Sequence, residues 1–373
     1  MRILGINCLN HDAALSVIED GNILFAAHSE RYSRKKNDMH LNDEIFEEAL
    51  SFGAPDKIAY YERPYIKKTR QIYSGQFSEA FSLKNIPSVH FKKWIKNQKI
   101  NYVDHHLSHA AAGYYTSSFK KAAIVVIDGI GEWDVISVWR GEGSSIKKIK
   151  SIKYPHSLGL FYSAMTKRLD LKPCEEEYIL MGMSAWGEDK ISEQLYKDFF
   201  NSSEILETKY NMHNGIGDYE PGLKDFDIAC STQVVTEKIL EKIFKKVKDL
   251  IPDTENIVYM GGVALNCVAN SKVLSKIYNN IWIMPNPGDA GSSLGCAAAV
   301  YGDHLNWNNA FLGTNIPGSY PVSKAYNELL KNKIVGVANG RAEFGPRALG
   351  NRSLLADPRG PDIKDKVNEI KRR

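Results

Sequence analysis

ILGINCLNHDAALSVIEDGNILFAA, residues 3–27, contains three short apolar runs separated by polar turns. The runs at 3–7, 13–18 and 23–27 predict three strands, and the Asp-Gly pair before the third is typical of a hairpin turn. The same order returns in residues 122–149, AAIVVIDGIGEWDVISVWRGEGSSIKKI. Two such units predict an internal duplication, with one strand-turn-strand-turn-strand unit at the start of each half.

The rest of the chain alternates helical and extended patterns, which favours an α/β fold. Helices are predicted at 43–51, 158–169, 227–250, 263–277 and 292–301, and further strands at 256–260 and 281–284. Residues 65–96 show no clear period, so an irregular insertion is expected there. A duplicated α/β domain with helices between its halves resembles the actin-like ATPase and sugar-kinase fold (the ASKHA class), in which the turns after the first strand of each half face the nucleotide phosphates.

A change in composition predicts where this domain ends. Residues 303–322 are rich in Asn, Gly and Pro and predict a linker. The first domain is therefore assigned to residues 1–310, with halves of 1–120 and 121–310, and a second unit to residues 323–373. A helix is predicted at 361–370. Because about fifty residues rarely form a complete core, the second unit is expected to be an incomplete domain.

Composition and charge narrow the class of protein. Hydrophobic residues make up 43% of the chain, and no apolar run approaches the roughly 20 residues of a membrane span. Five widely spaced cysteines predict a reducing cytoplasm and no disulfide framework. The net charge of +4 is carried by residues 340–373, with nine Lys/Arg against five Asp/Glu. Such a local excess argues against a nucleic-acid binder and favours a phosphate-bearing small molecule.

Three histidines lie within five positions in the stretch DHHLSHAA, residues 104–111. In a helix, His105 and His109 would lie one turn apart on the same face, a common way for one helix to give two ligands to a transition metal. Asp128 ends an apolar run and would complete a ligand set at the end of a strand. The alternatives are a satisfied polar contact for the histidines and an ordinary turn aspartate.

Six motifs occur in one order along nearly the whole chain. They are NHDAA at 10–14, HHLSHA at 105–110, HSLGLFY at 156–162, GGVALN at 261–266, GDAG at 288–291 and GRAEFGPRALG at 340–350. In this set and order the chain resembles the NodU/CmcH-type O-carbamoyltransferases. One departure is Ile179, at a position where members of that family usually carry a lysine.

The resemblance implies a protein of two parts. The N-terminal part would be a Kae1-like domain holding an iron-type divalent metal, and the C-terminal part would be YrdC-like. Carbamoyl phosphate and ATP, with Mg²⁺, would form a carbamoyl adenylate in the YrdC-like part. The carbamoyl group would then pass in the Kae1-like part to the hydroxyl of a small-molecule acceptor. No membrane and no nucleic acid is expected as partner, and a homodimer stays open.

Further site residues follow from the motifs. Asp289, in a glycine-flanked loop before a helix, is predicted as the fourth metal ligand, with a helix N-cap as the alternative. His11 and Asp12 begin the second strand, where His11 would act as a base on the acceptor hydroxyl or orient it; a partly exposed turn histidine is the alternative. His106 points about 100° away from its neighbours on the helix, so it is predicted to contact donor or acceptor.

Glycine-rich turns and an arginine-rich loop are predicted to bind phosphate. Glycine permits close approach, and helix starts favour anions. The candidates are the backbone amides of the two later turns, Gly261, Gly262, Gly288 and Gly291. The side chain of Asn266, one turn into its helix, is another candidate. Gly129 and Gly131, in the turn after the first strand of the second repeat, complete the set. Arg341, Arg347 and Arg352 are predicted to grip phosphate. Ligand-free tight turns and a solvated loop are the alternatives.

Two other functions remain at this point. A TsaD-like enzyme would transfer a threonylcarbamoyl group to a tRNA adenosine, although the basic residues do not form a broad surface. The second alternative function is a nucleotide-binding module that needs a partner for activity. The incomplete second unit and Ile179 favour this alternative.

Overall fold

The computed structural model describes residues 1–95 and 98–370. Two five-stranded mixed sheets form its centre, and each is followed by helices. The strands, in chain order, are Arg2–Asn7 (β1), Ala14–Glu19 (β2), Asn22–His28 (β3), Lys57–Tyr60 (β4), Ile100–Tyr102 (β5), Lys121–Gly131 (β6), Asp134–Glu142 (β7), Ser145–Lys153 (β8), Asn256–Met260 (β9), Asn280–Trp282 (β10), Phe311–Ile316 (β11), Ile334–Ala338 (β12), Gly340–Glu343 (β13) and Arg352–Ala356 (β14).

The two large sheets have the same strand order. The first runs β3-β2-β1-β4-β5 and the second β8-β7-β6-β9-β10. In each, the first three strands in sequence pair antiparallel, and the first strand pairs parallel with the fourth. The three predicted strands at the start of each sheet are therefore confirmed, and those of the second sheet extend beyond their predicted bounds.

Helices fill the segments between strands. They are Glu30–Ser33 (α1), Asp43–Ser51 (α2), Pro64–Tyr73 (α3), Phe77–Phe81 (α4), Pro87–His90 (α5), Lys92–Ile95 (α6), His105–Thr116 (α7), Leu158–Arg168 (α8), Glu177–Met183 (α9), Ser192–Phe199 (α10), Asp225–Leu250 (α11), Cys267–Val273 (α12), Ser292–Tyr301 (α13), Val322–Asn332 (α14) and Ile363–Ile370 (α15). The helices predicted at 43–51 and 292–301 have their predicted bounds. Across the described residues, no helix is both long and apolar enough to cross a bilayer.

Two predictions of secondary structure are wrong. Residues 65–96 were expected to be irregular, but their described part contains α3–α6; Lys96 itself lies outside the described residues. These helices are four to ten residues long, and two of them begin at a proline, so most are too short to show a 3.6-residue period. The helix predicted at 263–277 is divided, because the Asn266 side chain caps a new helix by accepting from the Ala269 amide at 3.0 Å.

The predicted linker at 303–322 contains a strand. β11 pairs antiparallel with β13, and the pairing joins Phe311 to Glu343. No local pattern indicates this strand, because the segment has a polar composition and the partner strand lies almost thirty residues later. β12 pairs with β14 as a separate two-stranded sheet. The predicted helix at 361–370 is confirmed as α15, while residues 371–373 lie outside the described part.

Two central helices, α7 and α13, touch through their backbones. A Cβ added to Gly295 of α13 would lie 1.8 Å from the carbonyl oxygen of Ser108 in α7. On α7, a Cβ on Gly113 would lie 2.5 Å from the Val258 side chain of β9. Gly295 therefore lets the two helices approach closely, and Gly113 lets α7 approach β9. This contact brings the start of α7 beside the loop that precedes α13.

Candidate metal centre

The first turn of α7 carries two buried imidazoles on one face. Asp104 caps this helix by accepting a hydrogen bond from the Leu107 amide at 2.9 Å. His105 and His109 follow at i and i+4, and their Nε2 atoms lie 3.2 Å apart. Both side chains are almost inaccessible to solvent. The local sequence thus fixes the start of the helix and the direction of both rings.

Two carboxylates from distant segments meet these rings. Asp128 on β6 places Oδ2 at 3.1 Å from His105 Nε2 and 3.8 Å from His109 Nε2. Asp289, before α13, places Oδ1 at 3.5 Å and 3.2 Å from the same atoms. One ligand atom from each of the four residues lies within 4.8 Å of all the others. The structure therefore brings together the four residues predicted as metal ligands.

The hydrogen bonds around these side chains suit a cation. His109 Nδ1 lies 3.1 Å from the carbonyl oxygen of Pro287, so it donates its proton there and leaves Nε2 as a lone pair. Burial disfavours a charge on His105, but Asp289 and Asp128 nevertheless raise its pKa well above the usual range. Burial likewise opposes the Asp289 carboxylate, yet His105 and His11 hold its pKa well below normal. Two buried carboxylates this close to each other call for positive charge beside them, which protonated His105 or a bound cation would supply.

The donor set fits a divalent transition metal. Two imidazole nitrogens and two carboxylate oxygens are ligands that iron-type ions accept, whereas Mg²⁺ and Ca²⁺ prefer oxygen alone. In addition, Asp128 uses its other oxygen, Oδ1, to accept the Gly262 amide at 3.1 Å. That bond fixes the carboxylate in the orientation that ligation needs.

His11 lies at the edge of this group, as predicted. Its Nε2 is 3.5 Å from Asp289 Oδ2, and its Nδ1 is 3.1 Å from Asp12 Oδ2. Burial opposes protonation, but Asp289 and the hydrogen bond with Asp12 raise the pKa of His11 to about 9. Asp12 has a positive φ of 52°, and its carbonyl accepts from Asn7 Nδ2 at 2.8 Å. The half-buried His11 is thus held between two carboxylates.

The structure places His106 away from the surface. The side chain is completely buried, and its Nδ1 lies 2.7 Å from Ser137 Oγ on β7. Burial, together with the nearby His105, lowers its pKa to about 3. Its Nε2 is buried without a partner. The predicted contact with donor or acceptor stays a prediction.

Three of the four glycine amides predicted to bind phosphate are already used. The Gly261 amide donates to Pro287 O at 2.9 Å and the Gly291 amide to Gly288 O at 3.0 Å. The Gly262 amide donates to Asp128, as described above. These glycines instead permit close packing: a Cβ on Gly261 would lie 2.2 Å from Ile127 O. The amide-based prediction is therefore wrong for these three residues.

The remaining glycines differ in their surroundings. A Cβ built on Gly129 or Gly288 would have no heavy atom within 4 Å, so both face open space and stay candidates for phosphate contact. Gly131 lies against the His105 and His106 rings, where a Cβ would lie 2.4 Å from the nearest ring atom. Its role is to make room for the metal-site histidine rather than for a phosphate.

Asn266 serves the helix and not a ligand. Besides capping α12, its Nδ2 donates to Gln233 Oε1 at 2.9 Å, and its Oδ1 accepts from Gln233 Nε2 at 3.1 Å. The residue is 9% exposed. Since the side-chain amide is fully engaged, its predicted contact with ribose or phosphate is wrong.

Two of the three predicted phosphate-gripping arginines hold the fold together. Arg341 donates to the carbonyl oxygens of Leu24 at 2.5 Å and Gly313 at 3.2 Å. Arg352 donates to Thr314 O at 2.8 Å and Asn339 O at 2.9 Å. Their guanidinium groups are therefore committed to backbone, which corrects the prediction.

Arg347 differs from both neighbours. It is exposed, and its guanidinium carbon lies 5.9 Å from the centre of the Tyr178 ring. It therefore stays a candidate for phosphate. The loop that carries it is fixed by Glu343 Oε1, which accepts from the amides of Leu349 at 2.8 Å and Asn351 at 2.9 Å.

Two supporting contacts were not predicted from the sequence. Ser157 Oγ donates to Gly129 O at 2.7 Å, which fixes the turn after Asp128. Arg63 Nη2 donates to Asp104 Oδ2 at 2.7 Å and also pairs with the buried Glu132. The motif HSLGLFY at 156–162 was a signal for the first contact. The Arg63 pairing carries no sequence signal, because its partners lie 41 and 69 residues away.

Comparison with known proteins identifies the family of this chain. A family model described as Carbamoyltransferase N-terminus matches residues 2–298, and one described as Carbamoyltransferase C-terminus matches residues 326–373. An uncharacterized protein of Synechocystis sp. is 30% identical, covering 98% of this chain and 72% of its own length. The 3'-hydroxymethylcephem-O-carbamoyltransferase of Streptomyces clavuligerus is 24% identical, covering 97% of this chain and 75% of its own length.

The nodulation protein NolNO of Sinorhizobium fredii is 27% identical and covers 98% of this chain, which spans 61% of that protein. Among solved structures, component A of (R)-2-hydroxyglutaryl-CoA dehydratase from Acidaminococcus fermentans superposes with a TM-score of 0.46 at 16% identity, covering 80% of this chain and 97% of that chain. The chain belongs to the carbamoyltransferase family. The resemblance to NodU/CmcH-type enzymes that the motifs predicted is thus confirmed.

Proposed function

We propose that this chain is an ATP- and metal-dependent O-carbamoyltransferase. Carbamoyl phosphate and ATP would give a carbamoyl adenylate, and its carbamoyl group would pass to the hydroxyl of a small-molecule acceptor. Family membership and the activity named for the Streptomyces relative support carbamoyl transfer to oxygen. The observation that carries the proposal is the convergence of two imidazoles and two carboxylates beside His11.

The four converging side chains would hold the metal, and we propose Fe²⁺, with Mg²⁺ accompanying ATP. A divalent ion at this place supplies positive charge where negative charge develops on the carbonyl oxygen and on the leaving phosphate. The protein prepares the place in advance, because His109 is oriented by Pro287 O and Asp128 by the Gly262 amide. Little reorganisation is then required during the reaction.

His11 and Asp12 would take part in transfer of the acceptor's hydroxyl proton. The acceptor oxygen forms a bond to the carbamoyl carbon, the bond from that carbon to the phosphate oxygen breaks, and AMP leaves with the electron pair. The hydroxyl proton would go to neutral His11; a cation held by Asp289 and Asp128 would offset the carboxylates that raise the pKa of this ring to about 9 and so favour its neutral form. Asp12, 3.1 Å from Nδ1, holds the ring in place, and Asp289, 3.5 Å from Nε2, stabilises the charged imidazolium.

The phosphate side of the site would lie at the two open turns. Gly129 and Gly288 have free space over their Cα atoms, which permits close approach of an anion. Arg347 is exposed and is proposed to contact phosphate from the C-terminal unit. A small hydroxylated acceptor is proposed rather than tRNA, because the net charge is only +4. The free cysteines support a reducing compartment, the cytoplasm.

The test is a carbamoylation assay with this chain. Purified protein is supplied with Fe²⁺, Mg²⁺, ATP and carbamoyl phosphate, and a panel of hydroxylated acceptors is examined by mass spectrometry. We expect the mass of one carbamoyl group to be added to at least one alcohol, with release of AMP. A tRNA arm runs in parallel. Modification of tRNA alone, or ATP binding without any transfer, would reject this assignment in favour of the two rival functions.

A further inference from the structure

Three charged side chains on α3 and just before it lie in the interior of the protein. Glu62, directly before it, is 2% exposed, and Lys67 and Arg70 on the helix are 8% and 6% exposed. Glu62 and Lys67 form an ion pair at 3.0 Å. Their charges cancel, which leaves the positive charge of Arg70 as an excess inside the protein.

Arg70 has no direct partner for that charge among the described residues, although Glu62 attracts it from a distance. Among the described residues, none forms a hydrogen bond or an ion pair with its guanidinium, and its Nε is buried without a partner. The guanidinium carbon lies 5.8 Å from the centre of the Tyr154 ring. Burial lowers the pKa of Arg70, but a guanidinium remains charged in proteins. A buried charge without a counter-ion is costly, so such an arrangement indicates a missing anion.

Short stretches of chain connect Arg70 and its aromatic neighbour to the metal centre. Tyr61, in the segment before α3, has its ring centroid 5.3 Å from that of His105. Tyr154, whose ring Arg70 faces, lies three residues before Ser157, which binds the carbonyl of Gly129.

We propose that Arg70 is an oxyanion-binding residue whose guanidinium accepts a carboxylate or phosphate group carried by a substrate. The planar fork of arginine suits two parallel hydrogen bonds to such a group. The inference rests on the proposed transferase activity, which it deepens. It assigns to this site either an acidic hydroxylated acceptor or the phosphate of carbamoyl phosphate.

The first measurement separates a binding role from a structural one. Arg168 is a matched control, because its side chain is 8% exposed but donates to Glu220 O at 3.0 Å and to Tyr219 O at 2.5 Å. Arg70→Met should leave the melting temperature unchanged or raise it, since it removes an unpaired charge. Arg168→Met should lower it. A melting temperature that falls equally in both variants would assign Arg70 to the fold alone.

The second measurement identifies the anion. Wild-type protein, Arg70→Met and Arg70→Lys are titrated with inorganic phosphate, carbamoyl phosphate, glycerate, glycerol 3-phosphate and glycerol, and thermal shifts are recorded. We expect anions to stabilise the wild type, with at least tenfold weaker binding in Arg70→Met and partial rescue in Arg70→Lys. Glycerol should have no effect. Stabilisation by the acidic alcohols would assign the anion to the acceptor, and stabilisation by carbamoyl phosphate would assign it to the donor.

Binding that is equal in all three proteins would overturn the proposal, as would the absence of any shift with every anion. Because this experiment requires no turnover, it is independent of the carbamoylation assay. Loss of anion binding in Arg70→Met without any carbamoyl transfer in the wild type would retain the anion site and reject the transferase. Carbamoyl transfer that is unaffected by Arg70→Met would retain the transferase and reject the anion site.

Discussion

Gly131 lies directly against His105: a Cβ on this glycine would be 2.4 Å from His105 Cδ2 and 2.6 Å from His106 Cδ2. The end of β6 and the first turn of α7 therefore fit together only when residue 131 has no side chain. A metal ligand is thus positioned by a backbone contact as well as by its own helix.

Gly131→Ala should displace the His105 ring. We expect a loss of about 1–3 kcal/mol in the free energy of unfolding, as for other overpacked sites, together with a lower metal content. Urea denaturation and elemental analysis measure the two effects. Gly129→Ala is the control, since a Cβ there meets no heavy atom within 4 Å. Equal stability and metal content in both variants would contradict the packing argument.

His109→Ala should abolish stoichiometric metal binding and carbamoyl transfer, because it removes one of two imidazole ligands and the 3.2 Å contact of that imidazole with Asp289. The exposed His40 gives a control, His40→Ala, that should keep both properties. Metal content is measured by elemental analysis, and transfer by mass spectrometry of the acceptor. Full activity of His109→Ala without bound metal would refute the proposed metal role.

Arg341→Met and Arg347→Met should have opposite effects. Arg341→Met leaves the carbonyl oxygens of Leu24 and Gly313 without their donor and should lower stability by about 1–3 kcal/mol. Arg347→Met should leave stability unchanged but weaken binding of ATP or carbamoyl phosphate by about tenfold, roughly 1.4 kcal/mol. Thermal unfolding and isothermal titration separate the two. Equal nucleotide affinity in wild type and Arg347→Met would remove Arg347 from the site.

Acid should weaken the fold through His28. This buried histidine accepts from Asn286 Nδ2 at 2.8 Å, and burial lowers its pKa from the usual 6.5 to about 4. Below pH 6.5 the unfolded chain binds a proton that the folded one does not, so stability falls as the pH falls toward 4. The contribution is up to about 1.4 kcal/mol per pH unit.

Urea denaturation of wild type and His28→Gln between pH 7 and 4.5 measures this contribution. Because other groups titrate in both proteins alike, the difference between the two slopes isolates His28. The variant should show the shallower slope. Parallel slopes would show that His28 is not the group responsible.

Local patterns were sufficient for the first three strands of each sheet and for bringing the candidate metal ligands together. Apolar runs separated by turns predicted those strands, whereas β4 and β5 were not predicted, and the i, i+4 spacing placed His105 beside His109. Asp128 was found because it follows the apolar run of a correctly predicted strand. Asp289 was found because it precedes a correctly predicted helix. Such residues are specified by their neighbours in sequence, and this is why sequence patterns can locate them.

Other features depend on contacts that sequence patterns do not record. Arg341 and Arg352 resemble phosphate-binding residues in composition, but their carbonyl partners lie up to 317 residues away. Gly261 and Gly291 resemble an anion-binding turn, but distant or local carbonyls already occupy their amides. Whether a polar group is free for a ligand is decided by tertiary packing, and only the structure reveals it.

The backbone contact between Gly295 and Ser108 fixes the position of α7 relative to α13, and with it the position of the two imidazoles relative to Asp289. α7 supplies both imidazoles, and Asp289 directly precedes α13, so any sliding between these helices would pull the carboxylate from the rings. Any movement that admits substrates is therefore expected away from the contact between α7 and α13.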